Sequence, residues 1–434
     1  MIISNVDKML HKIVYNLGMK YRNPSLLPYL KFLKDSDKWS LEQLQEYQFK
    51  KAKEFLCFTG EHSVFYKEYF ARYNFVPSKM TSLKDLDVLP PITKDVLIAR
   101  NADIHTDYKF SKLIFCETSG TSGQVLSYHK DEVWDSHNRA AMFRGYSWYG
   151  VEPYERNGYF WGYNKSMNFK GTVLDMLQNR FRVFSYNEDE IEKFAMKLKS
   201  ASFLEGYSSM IYEVAKIINR LGLSQKFNLK MIKGTSEKIY DSYQEEVQKA
   251  FGKKIISEYG ASESGLIAYE CPEGGHMHIN MENCIVEVEN GEIIVTNLLS
   301  RSFPIIRYKL GDSVTLAPEG FKCSCGRSHP VILDVLGRVG KNIHGKKNHY
   351  PSLTFYYVFK NLALTKGVNL NYQAVQDKPG EVTIKIEQIH PELASDIKVE
   401  MEKYFKDDLD YQLLWGTKLH SMNGKLKDFI TTLE

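Results

Sequence analysis

Between two short runs suited to β-strands, Lys112–Cys116 and Val125–Lys130, the chain carries Thr118-Ser119-Gly120-Thr121-Ser122-Gly123, four hydroxyl residues and two glycines in six positions. Glycine lets a backbone bend until several N–H groups converge, and Ser and Thr add further donors, so a strand–loop–strand unit of this kind can wrap a polyanion. A Walker loop would run through Gly-Lys-Ser/Thr into a helix; this one continues Gln124-Val-Leu-Ser127. The segment predicts a phosphate loop outside the Walker class, with a plain Ser/Gly surface loop as the alternative.

The 434 residues exceed the usual single-core limit of about 250–300, so two or more domains are expected. A content of 43% hydrophobic and 25% charged residues is that of a globular chain, and a net charge of +4 suits small anionic substrates rather than nucleic acid. No run of 18 apolar residues suggests a membrane span. Charged residues break up the first 21 positions, so no secretory core is read there, and six cysteines are then expected as thiols or metal ligands in a cytoplasmic protein.

Apolar spacing predicts helices over Leu41–Tyr66, Asp131–Tyr146, Asp189–Ala201, Ser208–Leu221 and Ser236–Phe251, each near a β-rich run such as Lys253–Tyr259. The alternation implies an α/β domain of helix-covered sheets. Asn290-Gly291 inside Cys284–Leu298 predicts a hairpin. A second unit is expected from about Leu336, with strand Glu381–Ile389, helix Glu392–Phe405 and strand Tyr411–Trp415.

Four further segments follow the loop: Ser257-Glu-Tyr-Gly-Ala-Ser-Glu263, Ile306-Arg-Tyr-Lys-Leu-Gly-Asp312, Gly337-Arg338 and Asn423-Gly-Lys425. In this order they resemble the signature motifs of the adenylate-forming superfamily. Ser82–Lys94, Arg307-Tyr308 and Cys323-Ser-Cys-Gly-Arg327 look closest to its branch of phenylacetate–CoA ligases, CapK proteins and deazaflavin-coenzyme adenylyltransferases. The resemblance implies a large N-terminal domain, 1–335, a small mobile α+β C-terminal domain, 336–434, and a homodimer.

It also implies roles. Adenylation joins a carboxylate to the α-phosphate of ATP and expels pyrophosphate, which calls for fixed dipoles, Mg²⁺ and a cation at the phosphorus. Thr118–Gly123 would hold the β- and γ-phosphates. Glu263 would hold Mg²⁺, which takes few protein oxygens. Tyr259, within Glu258-Tyr259-Gly260-Ala261-Ser262, would lie against adenine, with the turn Gly234-Thr235-Ser236-Glu237 lining its other side. Asp312 would accept both ribose hydroxyls, assisted by Arg338. Lys425 would be the catalytic cation, with Lys427 as the competing assignment. The superfamily's usual hinge acid is replaced at Gly340-Lys341, and Gly345–Pro351 resembles the loop that the small domain presents after rotating.

Cys271, His278, Cys323 and Cys325 form a Cys₃His set compatible with structural Zn²⁺, with His276 and His329 as alternative fourth ligands. Cys57, Cys116 and Cys284 read as buried apolar residues. The acid would lie among Tyr159–Asn164, Gly206–Ser209 and Gly260–Gly265. The expected activity is ATP-dependent formation of an acyl-adenylate followed by transfer to coenzyme A or to an amine. Alternatives are a CapK-like role in surface polysaccharide synthesis, AMP transfer to an acceptor hydroxyl, or a non-catalytic nucleotide-binding scaffold.

Overall fold

A computed structural model describes residues 2–118, 125–160, 169–183, 188–224, 226–235, 239, 241–338, 342–368, 370, 372–417, 419, 421–422, 425–426 and 429–433. Its centre is a sheet of eleven strands. One half is parallel: Ile256–Ala261, Met231–Thr235, Phe203–Tyr207, Asn157–Phe160 and Arg180–Arg182 lie side by side in that order. The helices Phe169–Leu177, Glu188–Leu198, Ser208–Arg220 and Asp241–Phe251 make the crossovers between them. Parallel strands must be covered on both faces, and period-two alternation achieves this. Leu204 and Ile232 join a core with Phe194, Ile211, Val214 and Val247, whereas their neighbours Phe203 and Met231 face Leu33, Ala140, Phe143 and Tyr146 on the opposite side.

The other half is antiparallel and is built from Gly265–Glu270, Met277–Ile279, Val331–Arg338, Ile305–Leu316, Glu292–Asn297 and Cys284–Glu289. The Asn290-Gly291 turn falls where it was expected, both residues at positive φ. The helix expected over Leu41–Tyr66 is instead two, Leu41–His62 and Val64–Arg72. Ser63 interrupts it in an extended conformation and caps the second helix by accepting from the Tyr66 N–H at 3.4 Å. Asp131 likewise lies just before its helix, Glu132–Trp148, and accepts from the Trp134 N–H at 3.1 Å.

A separate core gathers Ile343, Phe355, Val358, Ile384, Ile397 and Phe405 around a four-stranded sheet of Asp410–Leu414, Glu381–Ile386, Tyr372–Lys378 and Phe429–Thr431. No described helix is long and apolar enough to cross a membrane.

Candidate active site and thiol–imidazole cluster

The strands Leu113–Glu117 and Ser127–Asp131 form an antiparallel hairpin in register Cys116↔Tyr128, and its connection carries the phosphate-loop motif. Thr118 closes the hairpin twice: its N–H donates to the Leu126 carbonyl at 2.9 Å, and its hydroxyl oxygen accepts from the Leu126 N–H at 3.0 Å. Ser119, Gly120, Thr121, Ser122 and Gly123 lie outside the described residues, as do Ser236, Glu237, Gly340, Lys341, Lys427 and Trp161–Lys165.

From the hairpin, hydrogen bonds lead to the next motif. Tyr128 Oη lies 2.9 Å from Ser262 Oγ, and Tyr308 donates to Glu263 Oε1 at 3.0 Å. Tyr259 donates to Asp312 Oδ2 at 2.8 Å, joining the predicted adenine and ribose contacts. Asp312 in turn faces Arg338 across the strand pair, and Arg338 is placed here by its backbone alone. The turn that aims Glu263 is clamped at both ends. Asn297 Nδ2 donates to the Glu263 carbonyl at 3.0 Å, and the Leu266 N–H donates to Asn138 Oδ1 at 2.6 Å. Gly265 sits between them at φ +74°, where a Cβ would come within 2.7 Å of Asn138 Oδ1. Sequence reasoning missed both asparagines, since neither belongs to a motif.

It also missed a charged layer beneath Tyr259. Buried Lys233 lies 2.8 Å from Glu258 and 3.2 Å from Glu205, and its ammonium donates to Tyr146 Oη at 3.1 Å. Burial alone would lower the Lys233 pKa, but the Glu258 and Glu205 carboxylates outweigh it and hold the pKa above its ordinary value. Glu258, predicted only as part of the nucleotide segment, is thereby a partner of this lysine. Gly234 has no room for a side chain, since a Cβ would lie 2.5 Å from Ser208 Oγ. Lys130, the first lysine after the loop, is buried beside Trp134 and Tyr128; desolvation lowers its pKa, and the charges of Cys116, Asp135 and Glu263 oppose that. Arg307 is structural: it holds a positive φ, and its guanidinium binds the Leu86, Asp87 and Leu89 carbonyls together with Glu287 and Glu289. Lys425 pairs with Met422 in a two-stranded hairpin; its side chain is outside the described residues.

Cys271, His278, Cys323 and Cys325 bring their ligand atoms within 4.8 Å of one another. Cys271 Sγ is 3.6 Å from Cys323 Sγ, and Cys325 Sγ is 3.1 Å from His278 Nε2. Bonds of about 2.0–2.3 Å to a tetrahedral ion put ligand atoms roughly 3.3–3.8 Å apart, so the set fits Zn²⁺ after small movements. His278 Nδ1 meets the His329 carbonyl at 3.1 Å, which turns Nε2 towards the thiols, the outer-shell arrangement of metal-bound histidines. His276 packs against Phe321, and His329 Nε2 is 3.0 Å from Glu282, so neither alternative histidine joins the cluster. Of the other cysteines Cys284 is buried and Cys116 half-buried. Cys57, expected inside, is exposed: its helix turns Phe55, Leu56 and Phe58 inwards and leaves position 57 outside.

No protein-family model matches the chain. CapK from Staphylococcus aureus is 26% identical over 299 residues, 64% of each chain, and the indoleacetate–lysine synthetase of Pseudomonas savastanoi is 25% identical over 217 residues. The second match covers 47% of this chain and 54% of the synthetase, so less than two thirds of each of these relatives is spanned. Among solved structures, 2-hydroxyisobutyryl-CoA ligase in complex with 2-HIB-AMP and CoA matches over 91% of both chains, with a TM-score of 0.63 and 16% identity. The same ligase in the postadenylation state gives 0.61 and 14% over 91% of this chain and 90% of its own. At these identities the structural likeness shows the fold, which is the helix-covered α/β architecture expected from sequence. The chain thus shares the fold of these ligases and a distant sequence similarity with CapK and the synthetase.

Proposed function

We propose that the protein activates a carboxylic acid with ATP and Mg²⁺, forming an acyl-adenylate and pyrophosphate, and then passes the acyl group to a thiol or an amine. The observation that carries this reading is the run of contacts Tyr128–Ser262, Tyr308–Glu263 and Tyr259–Asp312, which draws three separated motifs onto one end of the sheet. In it, Asp312 and Tyr259 orient the nucleoside and the Thr118 turn holds the departing phosphates. Glu263, already accepting from Tyr308, keeps an oxygen for Mg²⁺, which when bound spreads the phosphate charge. Residues 1–335 form the nucleotide- and acyl-binding part, and residues 336–434 bring Lys425 to the carboxylate and α-phosphate as a flexible point charge. Coenzyme A and an amine are both acceptors found among the relatives by name, and the acid is the variable that assays must find.

The test is carboxylate-dependent exchange of labelled pyrophosphate into ATP over a panel of aryl, amino and fatty acids. Lys425→Ala is expected to lower exchange by about 100-fold or more, the range for removing a group that acts on transition-state charge; Lys427→Ala should stay within about threefold. The reverse ranking would transfer the role to Lys427. Product masses then separate thioester, amide and AMP ester.

We assign the Cys₃His cluster to one structural Zn²⁺, since four protein donors leave no open position. Purified protein should hold about one zinc per chain, and Cys271→Ser close to none, with earlier thermal unfolding. Zinc-free wild-type protein of unchanged melting temperature would refute the assignment.

A further inference from the structure

We propose that Asp408 is a positioning residue for the acceptor step, a role that rests on the ligase reading above: it fixes the loop 345–350 so that the C-terminal unit can present it to the activated acyl group. Asp408 follows the helix Ala394–Phe405 and is buried between exposed Asp407 and the core residue Leu409. One of its oxygens accepts from the Lys347 N–H at 2.7 Å. The other accepts from the Asn348 N–H at 3.0 Å, Asn348 Nδ2 at 3.2 Å and the Tyr350 hydroxyl at 2.8 Å. Four donors from one loop thus converge on the carboxylate, one on Oδ1 and three on Oδ2. The Asp408 carbonyl adds a fifth contact, accepting from the Lys346 N–H at 2.8 Å.

The loop is built to fit this carboxylate. A Cβ at Gly345 would lie 2.2 Å from Asp408 Oδ2, so only glycine permits the approach. The Gly345 N–H closes the turn onto the Asn348 carbonyl at 2.7 Å. At the base, strands Asn342–His344 and His349–Pro351 pair, and the Gln376 side chain bonds both the N–H and the carbonyl of His344 at 2.8 Å each. Burial alone would raise the Asp408 pKa; the bonds from Tyr350, Lys347 and Asn348 outweigh it and hold the carboxyl below its ordinary value, so the bonds act on a charged acceptor. Lys346, Lys347, Asn348 and His349 are left exposed on the outer side.

Its place in the chain ties this loop to the active site. Arg338 is paired opposite Asp312, and three residues separate it from Asn342. At no more than about 3.6 Å per residue, the base of the hairpin stays within roughly 14 Å of Arg338 however the C-terminal unit turns. The loop is therefore within reach of the acyl-adenylate, while adenylation itself is assigned to Lys425 on another hairpin.

The experiment compares the half-reactions in the full-length protein, using an acid that supports exchange. Pyrophosphate exchange and hydroxylamine trapping report the acyl-adenylate; acyl transfer to coenzyme A and to free lysine, whichever the wild type uses, reports the second step. Asp408→Ala is expected to keep exchange and trapping within about twofold and to lose at least about tenfold in kcat for transfer, since misplacement by about 1 Å can cost that much. Tyr350→Phe and Asn348→Ala each remove one of the side-chain bonds and should shift transfer alone, by less. Transfer at the wild-type rate in all three, or exchange falling in step with transfer, overturns the proposal. A wild type that shows exchange with no acid overturns the ligase reading, and this inference with it.

Discussion

Glu263→Gln should reduce pyrophosphate exchange by at least about 100-fold, with the loss persisting at saturating Mg²⁺. The substitution keeps the shape of the side chain and an oxygen able to accept from Tyr308, whose hydroxyl lies 3.0 Å from Glu263 Oε1. It removes the negative charge, the property that a divalent ion needs from a single protein ligand. The backbone should hold, because the turn is clamped by Asn297 on the Glu263 carbonyl and by Asn138 on Leu266, neither of which touches the substituted atoms. Unfolding curves should therefore overlay those of the wild type while activity collapses. Activity within about threefold of wild type would strip Glu263 of its role.

Arg144→Ala should destabilise the fold by about 3–5 kcal/mol in urea unfolding, the usual cost of removing one partner of a buried ion pair. Arg144 Nη1 lies 2.6 Å from Glu282 Oε1, with the two side chains 3% and 0% exposed. Burial would raise the Glu282 pKa, yet the Arg144 and His329 charges and the Ser36 hydroxyl hold it well below the ordinary carboxylate range. A depressed carboxyl contributes stability in full above its unfolded value of about 4.3 and loses it as pH falls through the folded value. The wild type should thus lose this contribution progressively as pH falls below about 4, and completely only in strong acid. In the variant the acid arm of the stability profile should move to higher pH, and the double replacement Arg144→Met with Glu282→Leu should recover only part of the loss, since it removes the orphaned Glu282 charge but leaves Asp37, Ser36 and His329 without these partners. A single variant as stable as the wild type would show that the pair is not coupled to folding.

The legible parts of the chain were those in which chemistry and local geometry coincide. Asn290-Gly291 announces its hairpin because both residues tolerate positive φ. Cys271, His278, Cys323 and Cys325 could be grouped because donor types are few, although which histidine faced the thiols waited on the His278–His329 contact. Ser63 hid a helix break, since the apolar spacing runs through it and one side-chain cap outweighed the pattern. Lys233, Glu205 and Asn138 were invisible for a different reason: each draws its meaning from partners dozens of residues away, on strands or helices that only the fold brings alongside. Cys57 was misjudged because cysteine composition says nothing about which side of a helix a position occupies.

The strand Met277–Ile279 lies between Gly265–Glu270, made just before it, and Val331–Arg338, made some fifty residues later. During synthesis the parallel half can close by successive local crossovers, whereas this short strand keeps an open flank until residue 331 has emerged. A chain halted before that point would display an unsatisfied ladder edge, the surface from which intermolecular β-pairing starts. Released chains truncated between residues 280 and 330 are therefore where self-association, rather than productive closure, should be strongest.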